Sequence, residues 1–216
     1  QAGQKTGTAT IYIDLTVLGM GVYGPVSYNV LADEPISYVV AKSVWGYDAG
    51  EPFGKAENTF GWAGGKYSGT LDNGFYLQSL QPGGSINANV LEGSSWNQYG
   101  ANEQEILQAI DDYFGRGTGL ASLWRCIYRN GLNKSSGSNG SIGEHDYAQG
   151  SGWLFSLSGD YFPGQSMSAY YLQDGDVLTL RYTLAYGWDV GGGTAGYGDS
   201  VGYCVTARNG SFSINH

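Results

Sequence analysis

Few side chains in this sequence are equipped for covalent or acid–base chemistry. Of its 216 residues, two are His and two are Cys. A thiolate–imidazole pair needs Cys126, His145 and an orienting acid such as Asp146 to meet in space. Cys126, however, flanks an apolar helical stripe, and His145 follows a Ser/Gly-rich run, so both are read as structural. No G-x-S-x-G marks a serine nucleophile. Glycoside hydrolysis needs two carboxyls facing one bond. Of Glu92, Glu103, Glu105 and Glu144, the middle two are accounted for by a helix N-terminus, which favours negative charge, and no spacing pairs the others. Asp174-Gly175-Asp176 begins like a calcium loop, but Val177, Leu178 and Leu180 follow where more oxygen ligands are needed. It reads as a turn into a strand. The glycines from Gly191 to Gly198 lack the G-K-[ST] of a phosphate loop. The expectation is a protein without catalytic or metal-binding residues.

Aromatic rings are the other resource. There are 18 Tyr, 6 Trp and 7 Phe, many in Gly-rich stretches: Trp45, Tyr47, Phe53, Phe60, Trp62, Tyr67, Trp96, Tyr99, Tyr161, Tyr170, Tyr171, Trp188 and Tyr197. Such rings give flat, amphipathic contact area at low entropic cost and are enriched in recognition surfaces. Only 13% of residues are charged, so few charged side chains remain to cover the surface. The net charge of −9 repels nucleic-acid phosphates and anionic lipid, and no apolar run reaches the ~18 residues of a membrane helix. The 37 glycines follow no collagen-like period. This balance reads as an extracellular, loop-rich domain. The small, polar Gln1-Ala2-Gly3-Gln4 reads as a chain after signal removal. Cys126 and Cys204 are a disulfide candidate in such a compartment, closing a loop of about 80 residues worth about 4 kcal/mol on the chain-entropy model. Two unpaired buried thiols are the other reading.

The elements that position these residues follow from periodicity. Ile11, Ile13, Leu15 and Val17 alternate with Tyr12, Asp14 and Thr16, which predicts a half-buried strand over 9–18. Val26, Tyr28 and Val30 repeat the pattern after Gly24-Pro25. Asp33-Glu34-Pro35 reads as a helix start, with a capping carboxylate, acid in the first turn and an early proline. Ile36, Val39, Val40 and Val44 fall at helical spacing, and Gly46 stands where a terminating glycine belongs. From 47 to 73 the sequence predicts surface loops with one or two short strands, then a strand over 75–80 broken by Pro82-Gly83. Residues 102–131 carry two amphipathic stripes, a helical hairpin, and 133–143 read as loop. Strands return at 153–157 and 177–184, and Asn209-Gly210 predicts a tight hairpin.

One segment carries a resemblance. Gly152-Trp153-Leu154-Phe155-Ser156-Leu157-Ser158-Gly159, then Tyr170-Tyr171-Leu172-Gln173-Asp174-Gly175-Asp176-Val177 leading to Tyr182, resembles the end of the transcobalamin-C-terminal-like domain (DUF4430). The family shows GW-x-Y-S-x-N-G followed by Y-x-L-x-D-G-D-x-(I/V)-x-x-x-Y, with Ser158 here at its Asn position. The likeness covers about 30 residues closely. It implies an α+β, β-grasp-like mixed or antiparallel sheet over one helix, in a single domain of residues 1–216. A two-helix insertion at about 100–145 and an extension at about 185–216, including a C-terminal hairpin, have no family counterpart. It implies a secreted or surface-anchored bacterial protein and a non-enzymatic recognition module. In vertebrate vitamin B12 carriers the equivalent domain covers one face of the corrinoid, so cobalamin is a candidate ligand here, held by Trp153, Phe155, Tyr161 and Tyr170 through stacking without metal coordination. The alternative is a structural or adhesive cell-surface module binding glycan or protein partners. Neither reading involves nucleic acid or membrane insertion.

Overall fold

The computed structural model describes residues 1–15, 22–83, 88–89, 141–146, 151–158, 161–183, 187, 204–208 and 211–215. The helical hairpin expected over 102–131, Cys126 and the side chain of Cys204 lie outside the described residues. So do Glu92, Glu103, Glu105, Trp96, Tyr99, Trp188 and Tyr197.

The alternation at the start of the chain becomes β1 (Lys5–Asp14), which pairs antiparallel with β2 (Val22–Leu31). Ile11, Ile13 and Leu15 are fully buried, as are Val26, Tyr28 and Val30 to within a few per cent. β2 starts earlier than its periodicity predicts and runs through Gly24-Pro25. Pairing with β1 slips there, so the proline sits at a bulge where its missing N–H is tolerated. The helix α1 (Ile36–Trp45) follows.

Its N-terminus differs from the sequence reading. Pro35 is the N-cap and no side chain caps the helix. The first helical N–H, of Ile36, donates to the carbonyl of Tyr170, 2.9 Å away. Glu34 is used elsewhere. The C-terminus is as expected: Gly46 is left-handed at φ 69°, and the N–H groups of Gly46 and Tyr47 reach back to Lys42 and Ala41.

Short strands β3 (Gly65–Ser68), β4 (Tyr76–Leu80), β5 (Ala88–Asn89) and β6 (Ile142–Gly143) come next. β6 falls within stretches read as loop and insertion, yet it pairs with β4 and Ile142 is 5% exposed. β7 (Gly152–Leu157) and β8 (Val177–Thr183) are adjacent and antiparallel, as their periodicity and the turn at Asp174-Gly175 lead one to expect. The four long strands form a mixed sheet in the order β2-β1-β8-β7, with β1 and β8 parallel and β5 added beside β2. A second, antiparallel sheet has the order β3-β4-β6. β9 (Cys204–Arg208) and β10 (Ser211–Asn215) pair antiparallel with Arg208 opposite Ser211, and the Asn209-Gly210 expected to turn between them lies outside the described residues.

Among the described residues the fold is therefore mixed α+β, one α-helix with a four-strand mixed sheet and a three-strand antiparallel sheet. Ile36, Val39, Val40 and Val44 of α1 share one core with Ile11, Ile13, Leu178, Leu180 and Tyr182. On the other sheet face Asp14 and Arg181, opposite one another in the parallel register, pair at 3.3 Å. Arg181 also donates to Ser156 Oγ at 3.0 Å and lies over the Phe162 ring. No helix among the described residues is long and apolar enough to cross a membrane.

Candidate functional site

The four expected ligand contacts lie along β7 and the segment that follows it, with different roles. Trp153 is 2% exposed. Its indole N–H donates to the Ile142 carbonyl at 2.9 Å, and its ring meets Tyr182 edge-on at 5.1 Å. The Tyr182 hydroxyl in turn donates to the Gly143 carbonyl at 2.6 Å. Trp153 and Tyr182 thus tie β6 to the mixed sheet. Phe155 is also buried and packs edge-on against Tyr170 at 6.1 Å. Tyr161 is 59% exposed. Desolvation, and then Tyr161, whose phenol hydrogen-bonds to that of Tyr170, raise the Tyr170 pKa.

Residues 161–171 form a strap that joins these rings to the rest of the molecule. Ser166 Oγ donates to the Phe75 carbonyl at 2.8 Å, and Ser168 Oγ accepts from the Phe75 N–H at 3.4 Å. The two hydroxyls bond to each other at 2.7 Å. This stitching holds the strap beside the start of β4, and a cavity of about 260 Å³ lies between the strap, β4 and β7. Phe75, Tyr76, Trp153, Phe155, Pro163 and Met167 give it a largely apolar wall. Tyr67 extends the ring system outwards, 4.9 Å from Phe75 and 5.9 Å from Trp45. Of the other loop aromatics, Phe60 and Trp62 are core residues at 0% and 2% exposure. Tyr76, Met167 and the two serines were missed in the sequence, since nothing local distinguishes a serine that bonds a strand some 90 residues away.

A second, polar cavity of about 300 Å³ opens beside α1, bounded by Tyr28, Lys42, Phe53 and the loop that follows. Here lies the true use of Glu34. Lys42 and Glu34 pair at 2.7 Å with both side chains 1% exposed. Lys42 Nζ also donates to the Phe53 carbonyl at 2.7 Å and sits over the Tyr28 ring, whose hydroxyl donates to the other Glu34 oxygen. Burial pushes the Glu34 carboxyl up, and hydrogen bonds from Lys42 and Tyr28 pull it partly back. The Tyr28 phenol is driven well above its ordinary value by burial and by the Glu34 charge. Every polar atom of this triad is satisfied within the fold, so it is a structural knot rather than a reactive centre.

The remaining sequence candidates resolve as follows. Asp174 Oδ1 accepts from the Thr8 N–H at 2.9 Å, and Asp176 accepts from the Gln173 N–H at 2.8 Å and from Ser158 Oγ at 2.9 Å. These carboxylates shape turns, as expected. Ser158 has φ 40°, a conformation asparagine adopts more readily. His145 is bonded to Glu144 at 2.9 Å on the surface, while Asp146, 4% exposed, accepts from the Gly143 N–H at 2.8 Å. Among the described residues no three His, Cys, Asp or Glu side chains converge as a metal site. No family model, curated protein or solved structure matches this chain.

Proposed function

We propose that this chain is a non-enzymatic, extracellular recognition module, of β-grasp-like build and similar to the transcobalamin-C-terminal-like domains, whose ligand seats in the groove between β7, β4 and the 161–171 strap. The observation that carries the reading is the groove itself: an apolar cavity of about 260 Å³ with two of the four expected contact rings, Trp153 and Phe155, on its wall. Drug-sized ligands occupy pockets of roughly 300–1,000 Å³. A corrinoid exceeds this cavity, whereas a side chain or single ring fits inside it. Burying one such group contributes about 1.5–3 kcal/mol. The geometry therefore favours a ligand that inserts one group and spreads the rest over the surface, which is the mode of a peptide or glycan partner.

The test uses two probes, indole and cyanocobalamin, on the full chain and on Gly164→Trp. Gly164 lines the groove, and a Cβ placed there meets nothing within 4 Å, so the large ring obstructs the site without straining the fold. Indole is expected to shift the Met167 methyl resonance saturably in the parent and not in the variant. Absence of any saturable shift removes the recognition reading. Saturable quenching of tryptophan fluorescence by cyanocobalamin, abolished in the variant, selects the corrinoid.

A further inference from the structure

We infer that Asn73 is a self-modification site, at which the chain converts its own asparagine to isoaspartate beside the groove. The sequence holds four Asn-Gly pairs, and Asn73-Gly74 is the one that lies within the described residues. In the reaction the Gly74 backbone nitrogen bonds to Cγ of Asn73. The Cγ–Nδ2 bond breaks, ammonia leaves with the proton that the backbone nitrogen gave up, and a five-membered imide remains. Water then opens one of the two imide carbonyls. One opening gives aspartate, and the other gives isoaspartate, with the main chain rerouted through the former side chain. Overall one water enters and one ammonia departs, so no oxidant or cofactor is needed.

The local geometry leaves both reacting groups available. Asn73 is exposed, and every hydrogen bond it makes among the described residues runs through its main chain. Its carboxamide can therefore turn toward Gly74. The Gly74 N–H has no acceptor among the described residues. Glycine has no Cβ to hinder approach to that nitrogen, and a Cβ built there would meet nothing within 4 Å.

The nitrogen must first shed its proton, because resonance ties up the lone pair of a neutral peptide. The charge that develops is shared with the carbonyl oxygen of Asn73. That oxygen accepts from the Thr70 N–H at 2.9 Å and from the Thr70 hydroxyl at 3.3 Å. Donors already placed where charge develops lower the barrier. The same hydroxyl accepts from the Asn73 N–H at 3.0 Å, which keeps Thr70 in place.

The position gives the conversion a consequence. Gly74 and Phe75 line the groove. The Phe75 carbonyl and N–H hold Ser166 and Ser168 of the strap, and Met167 between them is 4% exposed. Isoaspartate adds a methylene to the backbone two residues before Phe75, together with one negative charge. The stitching of the strap shifts, and the groove with it.

The full chain is aged for several weeks at 37 °C in buffers of about pH 8 and about pH 5, and the peptide carrying Asn73 is followed by mass spectrometry. A portion unfolded in guanidinium chloride is aged beside it. The expected result is a gain of about one dalton in the folded chain, with isoaspartate as the main product by electron-transfer fragmentation. The conversion should be at least tenfold slower at the lower pH and no slower than in the unfolded chain. Asn73→Gln, whose longer side chain closes a six-membered ring far more slowly, should show no gain. Conversion confined to the unfolded chain overturns the inference, because the fold then protects Asn73. Absence of conversion in both overturns it as well. The Met167 methyl resonance should split into two as the isoaspartate fraction grows. A single unshifted resonance in converted protein overturns the link to the groove.

Discussion

Replacing Lys42 with methionine isolates the energetics of the buried triad. Methionine fills much of the volume of the lysine stem, so the substitution removes the ammonium and little packing. Two hydrogen bonds vanish, to Glu34 Oε2 and to the Phe53 carbonyl, each 2.7 Å long. Glu34 remains 1% exposed with only the Tyr28 hydroxyl to hold its charge. Removing one partner of a buried pair costs about 3–5 kcal/mol. The separate figure of about 1.5–3 kcal/mol per hydrogen bond to a charged group describes the same loss and is not added to it. At roughly 2–4 °C per kcal/mol for a chain of this size, Tm falls by about 10 °C. Urea unfolding at pH 7, followed by fluorescence and circular dichroism, measures the cost. The double variant Lys42→Met/Glu34→Gln recovers most of it, because no buried charge is then left alone. The deficit of the single variant also shrinks on acidification, since protonating Glu34 removes the stranded charge. A single-variant cost below about 1 kcal/mol at pH 7, where buried pairs broken on one side lose several, refutes the reasoning.

Three other outcomes follow from the same geometry. Trp153→Phe strands the Ile142 carbonyl and destabilises by about 1–3 kcal/mol in thermal melts, with the sheet's circular dichroism retained. In the parent, Glu34 has a folded pKa above the ordinary 4.5, so its contribution is fully present below that value and lost as pH rises through the folded one. Glu34→Gln should flatten the dependence of Tm on pH in that window; an unchanged slope counts against the buried carboxyl. Tyr38, which donates to Asp72 at 2.8 Å, is pushed up to about 12 by that hydrogen bond first and by burial second. Its contribution is held below pH 10 and lost as pH climbs through about 12, and Asp72→Asn should move its ultraviolet titration back down.

Periodicity disclosed the elements better than their partners. Ile11, Ile13, Leu178, Leu180 and Tyr182 were legible as buried faces because a strand repeats every two residues regardless of what lies above it. Gly46 was legible because a left-handed helix end is a local requirement. Glu34 was misread for the complementary reason: beside Pro35 an acid looks like a helix-start residue, and only the fold shows Lys42 and Tyr28 closing around it. The aromatic end of the candidate site was visible in Trp153, Phe155 and Tyr170, but their division of labour was not. Tryptophan is equally suited to a surface and to a core, and the Ile142 carbonyl that settles the matter sits in a stretch that reads as loop. The pairing of strands from opposite ends of the chain has no local signature whatever.

That pairing governs how the chain acquires its structure. β1 sits at the centre of the mixed sheet, and its parallel partner begins at Val177, some 160 residues after β1 ends. The β1–β2 hairpin and α1 can assemble as soon as residues 5–46 are available. The sheet then waits, with the β8 side of Ile11 and Ile13 uncovered, until Val177–Thr183 arrives. Closing so long a loop costs about 2–3 kcal/mol more than closing one of ten residues, and it must be met before the β1–β8 contacts return anything. The same logarithm makes length cheap: doubling the excursion adds only about 0.6 kcal/mol. A sheet joined across so long a separation tolerates long excursions between its strands, folds slowly, and completes its core only once Val177–Thr183 has joined β1.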